Sequence, residues 1–144
     1  MGFGLPAAIG AALSYPDRIV VCFSGDGSIL MNIQELTTAA DLKVNIKIIV
    51  MNNQSLGLVH QQQTIFFGKR IFASKYHTVP NFIKVAEGFG IQAVDLDMAD
   101  DPNAALKSAL VTHGPCLIHT STDVHQHVLP MVPPGAANIE MIGD

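Results

Sequence analysis

At 144 residues the chain has enough material for one hydrophobic core, and one domain is expected. Only 14% of its residues are charged while 49% are hydrophobic, against about 25% charged in an ordinary soluble domain, so another subunit or the rest of a longer chain should cover part of the surface. A net charge of −4 and a pI near 5.8 leave no basic footprint for nucleic acid, and no apolar run approaches the roughly 18 residues needed to span a membrane.

The opening Met1 to Ser14 is apolar, but no cation precedes Arg18 and Pro6 stands where a myristoylated terminus would carry Ser or Thr. Leu5 to Leu13 is rich in Ala, with Pro6 in its first turn and Tyr15-Pro16-Asp17 behind it, which predicts a helix. Ile19 to Phe23 and Ile46 to Met51 are short, β-branched and nearly continuous in apolarity, as strands covered on both faces should be. Between them Ile29, Ile33, Leu36 and Ala40 share one helical stripe, predicting a helix over Ile29 to Leu42 and hence a βαβ unit.

Asn52 to Pro80 is the least regular stretch and reads as a long functional loop, with His60-Gln61-Gln62-Gln63 as a polar, exposed helical turn by composition. Asn81 to Phe89 is expected as a helix, Gln92 to Leu96 as a strand, Pro102 to Val111 as a helix opened by Asp100 or Asp101, and Cys116 to Ser121 as the last strand. This alternation predicts an α/β fold, a doubly wound, mainly parallel sheet flanked by helices. Cys22 and Cys116, each inside a strand, read as buried reduced thiols and point to a cytoplasmic protein.

Two groups at strand ends carry the chemistry. Gly25-Asp26-Gly27-Ser28 follows the first strand, and Asn52-Asn53 ends the second, with 24 residues between Gly27 and Asn52. In an open parallel sheet the carboxyl ends of strands share one edge and ligands bind in the crevice there, so Asp26 and Asn53 should converge. One carboxylate and one amide carbonyl form an all-oxygen pair suited to a hard cation such as Mg²⁺, which is held by few protein ligands together with phosphate oxygens and water. Gly25 and Gly27 let backbone approach closely, and the amino end of the helix after Ser28 offers N–H groups to a phosphate. Gly-Asp-Gly is also an ordinary turn; its spaced second half is what suggests a diphosphate clamped through a metal.

Rival motifs are weaker. Gly2-Phe3-Gly4-Leu5-Pro6-Ala7 matches the dinucleotide fingerprint, yet no strand precedes it in this sequence. A phosphatase of the haloacid dehalogenase type would need an aspartate nucleophile where Ser24 stands. His125 and His127 lack a third metal ligand at suitable spacing and read as part of a solvated loop, while His119, among apolar strand residues, reads as a hydrogen-bonded structural histidine. Glu35, Glu87 and Glu140 read as polar-face or tail carboxylates, and no order of Ser, His and Asp suggests a triad.

The paired motif, with Gly4 to Ala11, Leu56 to Gln63 and Leu129 to Asn138, resembles the thiamine diphosphate enzymes. Within them the chain is similar to the carboxy-terminal cofactor-binding domain of acetolactate synthase (acetohydroxyacid synthase) large subunits, of the enterobacterial isozyme I type, over essentially its whole length. The resemblance implies thiamine diphosphate and Mg²⁺ as cofactors. Asp26 and Asn53 would give side-chain oxygens to the metal and Ser55 a backbone carbonyl; Gly25, Gly27 and Ser28 would meet the diphosphate. Met1, followed by Gly2, aligns with an apolar wedge that bends the cofactor, and Leu56, Gly57, Leu58 and Val59 would complete the cofactor-binding set, the last two along the thiazolium.

The implied reaction condenses pyruvate with a second 2-oxo acid, with loss of carbon dioxide, in branched-chain amino acid biosynthesis. The family's essential glutamate belongs to an amino-terminal domain of the partner subunit, so no catalytic residue is assigned within this chain. Residues 1–144 are expected to be one diphosphate- and Mg-binding domain, inactive alone, with the amino-terminal pyrimidine-binding and FAD-binding middle domains absent from this chain. Expected partners are 2-oxo acids, those missing domains, further copies in a homo-oligomer and a regulatory small subunit. Many herbicide-sensitive members carry Trp where this chain has Gln62, a departure that touches the herbicide surface and not the cofactor site. Two other readings stay open: a related decarboxylase or carboligase acting on another 2-oxo acid, and a non-catalytic module that binds a Mg-diphosphate ligand.

Overall fold

The two β-branched runs pair side by side and in parallel, with Val20 opposite Ile46 and Gly25 opposite Met51. In the computed structural model, which describes residues 1–143, they form β1 (Val20–Gly25) and β2 (Ile46–Asn52) of a four-stranded sheet. With β3 (Gln92–Asp95) and β4 (Cys116–Ser121) the order is β1-β2-β4-β3, parallel throughout. The helices are α1 (Gly4–Ser14), α2 (Asp26–Ile29), α3 (Glu35–Asp41), α4 (Gly57–Phe66), α5 (Phe82–Gly88) and α6 (Pro102–Val111), followed by a 3₁₀ turn at Asn138–Glu140.

Alternation along the strands sends side chains to two layers. One face, with Cys22, Ile46, Ile48, Val50 and Leu117, packs under Leu5 and Ile9 of α1, Leu36 and Ala39 of α3 and Phe82 and Ala86 of α5. The other, with Ile49, Val94, Cys116 and Ile118, packs under Leu106 and Ala109 of α6. Helices on both faces make the sheet doubly wound, as expected. Both cysteines are free and buried, and burial pushes both thiols above their ordinary range.

The first strand departs from expectation. Its burial alternates, and Val21 and Phe23 are exposed, Phe23 to 68%, because α6 lies over β3 and β4 and leaves the outer strand uncovered on that side. The helix expected over Ile29 to Leu42 is also interrupted. Asn32 donates its side-chain amide to the Gly2 carbonyl, and the turn between α2 and α3 runs on i to i−3 bonds such as Asn32 N–H to Ile29 and Glu35 N–H to Asn32. The apolar stripe survives the break, since Ile29 and Leu36 are both in the core. Asn52 to Pro80 is more regular than its composition suggests, since α4 occupies ten of its residues.

The starts of α5 and α6 are set by local side chains. Asn81 Oδ1 accepts the Lys84 N–H at 2.9 Å, and Asp101, not Asp100, caps α6 by accepting the Ala104 N–H at 3.0 Å ahead of Pro102. Among the described residues no helix is long and apolar enough to cross a membrane.

Lys47, the second residue of β2, is 0% exposed. Its ammonium donates to Asn45 Oδ1 at 2.9 Å, to the Gly114 carbonyl at 2.6 Å and to the Thr112 carbonyl just past α6, so one cation ties β2 to the α6–β4 connection. Three donors meet three acceptors. Lys47→Met keeps the apolar stem but strands two carbonyls, and should lower unfolding free energy by about 2–4 kcal/mol, taking roughly 1–3 kcal/mol for each unsatisfied buried group. Urea denaturation reads this directly; a loss under about 0.5 kcal/mol, the range of an ordinary surface change, would show that the clamp is dispensable.

Candidate functional site

At the carboxyl end of β1, Gly25 stays extended (φ −75°, ψ 158°) and the chain turns at once into α2. Asp26 is thereby set beneath the sheet edge and is 2% exposed. One of its carboxylate oxygens accepts the Gly27 N–H at 2.7 Å and the other accepts the Ser55 N–H at 3.2 Å. The same Ser55 N–H also reaches Asn53 Oδ1 at 3.1 Å. The convergence expected from the strand ends is therefore present, with both oxygens on one donor. Gln54 makes the bend possible in the left-handed region (φ 57°), with its N–H donating to Asn52 Oδ1 at 3.1 Å.

Burial pushes the Asp26 carboxyl above the usual carboxylate range, and backbone N–H groups, led by those of Gly27 and Ser55, only partly offset this. No Lys, Arg or His among the described residues forms an ion pair with it. A buried carboxylate with donors but no counter-charge is an unbalanced site, and a hard divalent cation beside Asn53 Oδ1 would balance it.

A cavity of about 600 Å³ opens here. Met1, Gly25, Asp26, Gly27, Ser28, Asn53, Ser55, Leu56, Gly57, Leu58 and Val59 all line it. Gly2 lies just behind, donating its N–H to Ser28 Oγ at 3.0 Å, which leaves the Ser28 hydroxyl proton for another acceptor. The helix begins at Asp26, ahead of Ser28, and the Gly27 N–H is already taken by the Asp26 carboxylate. An anion at this turn would therefore meet one fewer free backbone donor than expected.

The opposite wall, Thr122 to Val128 with Gln126 and His127, was not foreseen as part of the site. Gln61 holds it: Nε2 donates to the Val128 carbonyl at 3.0 Å while Oε1 accepts the Val128 N–H at 2.8 Å. Gln61 is 3% exposed, so the exposed reading of this turn fails for it and for the equally buried His60. Gln63 ties α4 to Phe72 and Ser74, and Gln62 faces a separate cleft of about 450 Å³ with Val59, Phe67 and Arg70. Tyr76 also reaches the site without a signal in the sequence; burial and the nearby Asp26 push its phenol upward. His125 and His127 lie in an irregular segment, as expected.

His119 is hydrogen-bonded, as expected, between Asp95 and Asn52. Asp95, Asp97 and His119 bring three ligand-type atoms close together, but Asp97 accepts the Ser121 N–H at 2.9 Å and the Thr120 hydroxyl at 3.3 Å, bonds that hold its carboxyl below the ordinary range.

Residues 1–120 match the family described as thiamine pyrophosphate enzyme, C-terminal TPP binding domain, and the chain belongs to that family. It is 56% identical over 144 residues to the acetolactate synthase isozyme 1 large subunit of Escherichia coli K12, a match covering 100% of this chain and 26% of that protein. It is 45% identical over 142 residues to the isozyme 2 large subunit of the same organism (99% and 26%) and 44% identical over 144 residues to the acetolactate synthase large subunit of Porphyra purpurea (99% and 24%). The chain thus spans about a quarter of the length of these relatives.

Gly27 has a steric role in this site. A Cβ on it would lie 2.5 Å from Tyr76 Oη and 2.7 Å from Leu56 Cδ2. Gly27→Ala should cost about 1–3 kcal/mol, as overpacking does, and push Tyr76 away from the turn. Thermal denaturation of Gly27→Ala beside Gly27→Ala/Tyr76→Phe checks the cause, because removing the hydroxyl should recover part of the loss. Equal instability in both variants would place the clash elsewhere.

Proposed function

We propose that this chain is the metal- and diphosphate-binding domain of a thiamine diphosphate-dependent acetolactate synthase, which condenses pyruvate with a second 2-oxo acid with loss of carbon dioxide. One observation carries the reading: Asp26 and Asn53, brought from two strand ends, place their oxygens on the same Ser55 N–H, and no Lys, Arg or His among the described residues pairs with the buried carboxylate. The 56% identity to an acetolactate synthase large subunit supports the choice of reaction within the thiamine diphosphate family.

In this reading Asp26 and Asn53 would hold Mg²⁺ through side-chain oxygens and Ser55 through its carbonyl, while Gly25, Gly27 and the Ser28 hydroxyl would receive the diphosphate, with Gly2 holding Ser28 in place. Met1, Leu56, Gly57, Leu58 and Val59 present apolar surface and close backbone to the cofactor's rings. When bound, thiamine diphosphate would supply a carbon nucleophile and an electron sink. The chain's own part is to fix the charged end, orient the rings and exclude water from that side. The glutamate, the pyrimidine-binding domain and the FAD-binding domain are assigned to the rest of the large subunit. Residues 1–144 then serve as one domain, inactive alone. Partner copies, a regulatory small subunit and a cytoplasmic location complete the proposal, supported by the low charge content and the buried free thiols.

Calorimetry on the full-length enzyme tests the site. Asp26→Ala should abolish Mg²⁺-dependent thiamine diphosphate binding, and Asn53→Ala should do much the same; unchanged affinity in either variant would sink the metal assignment. A product assay tests the reaction, since acetaldehyde released from pyruvate without acetolactate would move it to a decarboxylase.

The pH dependence has a definite sign. Folding without metal raises the Asp26 pKa, so that carboxyl's contribution to apo stability is fully present below its unfolded pKa and is lost as pH rises through the raised value. Metal affinity runs the other way, because only the carboxylate ligates, and it should fall as pH drops through that raised value, sooner than for an exposed Asp. Mg²⁺ titrations at stepped pH check this, and a flat profile across the carboxylate range would contradict it.

A further inference from the structure

We propose that His119 is a positioning residue of the metal site, acting through Asn52 as the neutral tautomer that carries its proton on Nδ1. The inference rests on the reading of Asp26, Asn53 and Ser55 as holders of a divalent cation, and it adds residues on β3 and β4 to that function.

The tautomer follows from the hydrogen bonds in order. Asn52 is 6% exposed, and its Oδ1 accepts the Gln54 N–H at 3.1 Å, which decides which end of the amide is oxygen. Its Nδ2 therefore faces His119 Nε2, at 3.0 Å. An amide nitrogen only donates, so Nε2 must accept and the ring's proton sits on Nδ1. There Asp95 Oδ1 lies at 3.1 Å and Asp97 Oδ2 at 3.7 Å, both acceptors. The ring is held in plane against Phe82 of α5, with centroids 6.2 Å apart and 23° between planes.

The same bonds reach the metal loop. Asn52 sets the turn at Gln54, whose left-handed backbone delivers the Ser55 N–H to Asp26 and Asn53. The Asn52 carbonyl accepts the Thr122 N–H at 2.9 Å, so the same residue also anchors the start of the cavity's far wall. Without an acceptor at Nε2, one of the two side-chain bonds that orient the Asn52 amide is lost, and the Gln54 N–H alone opposes its rotation among the described residues. A flipped amide would turn Nδ2 toward the Gln54 N–H, two donors would face each other, and the bend that aims Ser55 would open.

The test uses the full-length enzyme with thiamine diphosphate, reading the Mg²⁺ dissociation constant by calorimetry together with KM for pyruvate. His119→Phe keeps a stacked ring and removes the acceptor; His119→Gln restores a carbonyl oxygen at the reach of Nε2. His119→Phe should weaken Mg²⁺ binding about tenfold, the scale of one buried hydrogen bond, and His119→Gln should stay within about twofold of wild type. KM for pyruvate at saturating Mg²⁺ should change little in both, which separates metal positioning from a general loss of folding. If His119→Phe does not fold, Asn52→Ser, which removes the amide itself, should show the same tenfold loss. Equal Mg²⁺ affinity in wild type, His119→Phe and Asn52→Ser, or equal weakening in the Phe and Gln variants, would overturn the proposal. Failure of the underlying metal-site reading is distinguishable, since wild type itself would then bind thiamine diphosphate without Mg²⁺ dependence.

Discussion

The register between β1 and β2 governs the rest of the molecule. Because Gly25 lies opposite Met51, Asp26 is the first residue past one strand while Asn52 and Asn53 close the other, and the two ligand-type side chains arrive at one height. A slip of one residue would do more than separate them. A slip of β2 would turn Ile48 and Val50 out of the larger core and bring Lys47 into it, so the burial that fixes the register also fixes the site. Folding energy and site geometry are here the same constraint.

Two buried charges on this small sheet are handled in opposite ways. Lys47 has as many acceptors as donors and belongs to the scaffold. Asp26 has donors from backbone alone and no ion-pair partner among the described residues; burial raises its pKa, and the folded chain carries an unbalanced carboxyl group. Unbalanced charge at a strand end beside a cavity is what a binding site for a cation requires, and it is tolerated because the remaining core, from Leu5 to Leu117, is well filled.

How much could be read from the residues depends on whether each signal was local. Strand cores showed in runs of Ile and Val, and α5 and α6 in Asn81, Asp101 and Pro102, whose effects reach only three or four residues. The pair Asp26 and Asn53 was legible because parallel topology carries strand ends to one edge. The break between α2 and α3 was not, since it depends on Asn32 reaching Gly2, 30 residues away. Polar Gln61 looked solvent-facing because its partner, Val128, is 67 residues distant, and the wall it secures was hidden for the same reason. The open side of β1 depends on where α6 comes to rest, which no pattern within β1 records.

The Gln61 clamp has a consequence in the language of the genetic code. Its side chain, buried although Val128 is exposed, behaves as a spare peptide group, giving one hydrogen to that backbone residue and taking one from it. Glutamine codons are one nucleotide from those for His, Lys, Arg, Glu, Leu and Pro, and none of these carries a planar amide. Glu keeps the shape but turns a donor into a second acceptor against a carbonyl; Lys and Arg supply donors alone; Leu supplies neither donor nor acceptor to Val128. Every single-base amino-acid replacement at this codon therefore breaks the seam between α4 and the far wall, and Asn, which keeps the amide but is one methylene short, lies two changes away. Drift at this position is closed off by chemistry on both counts.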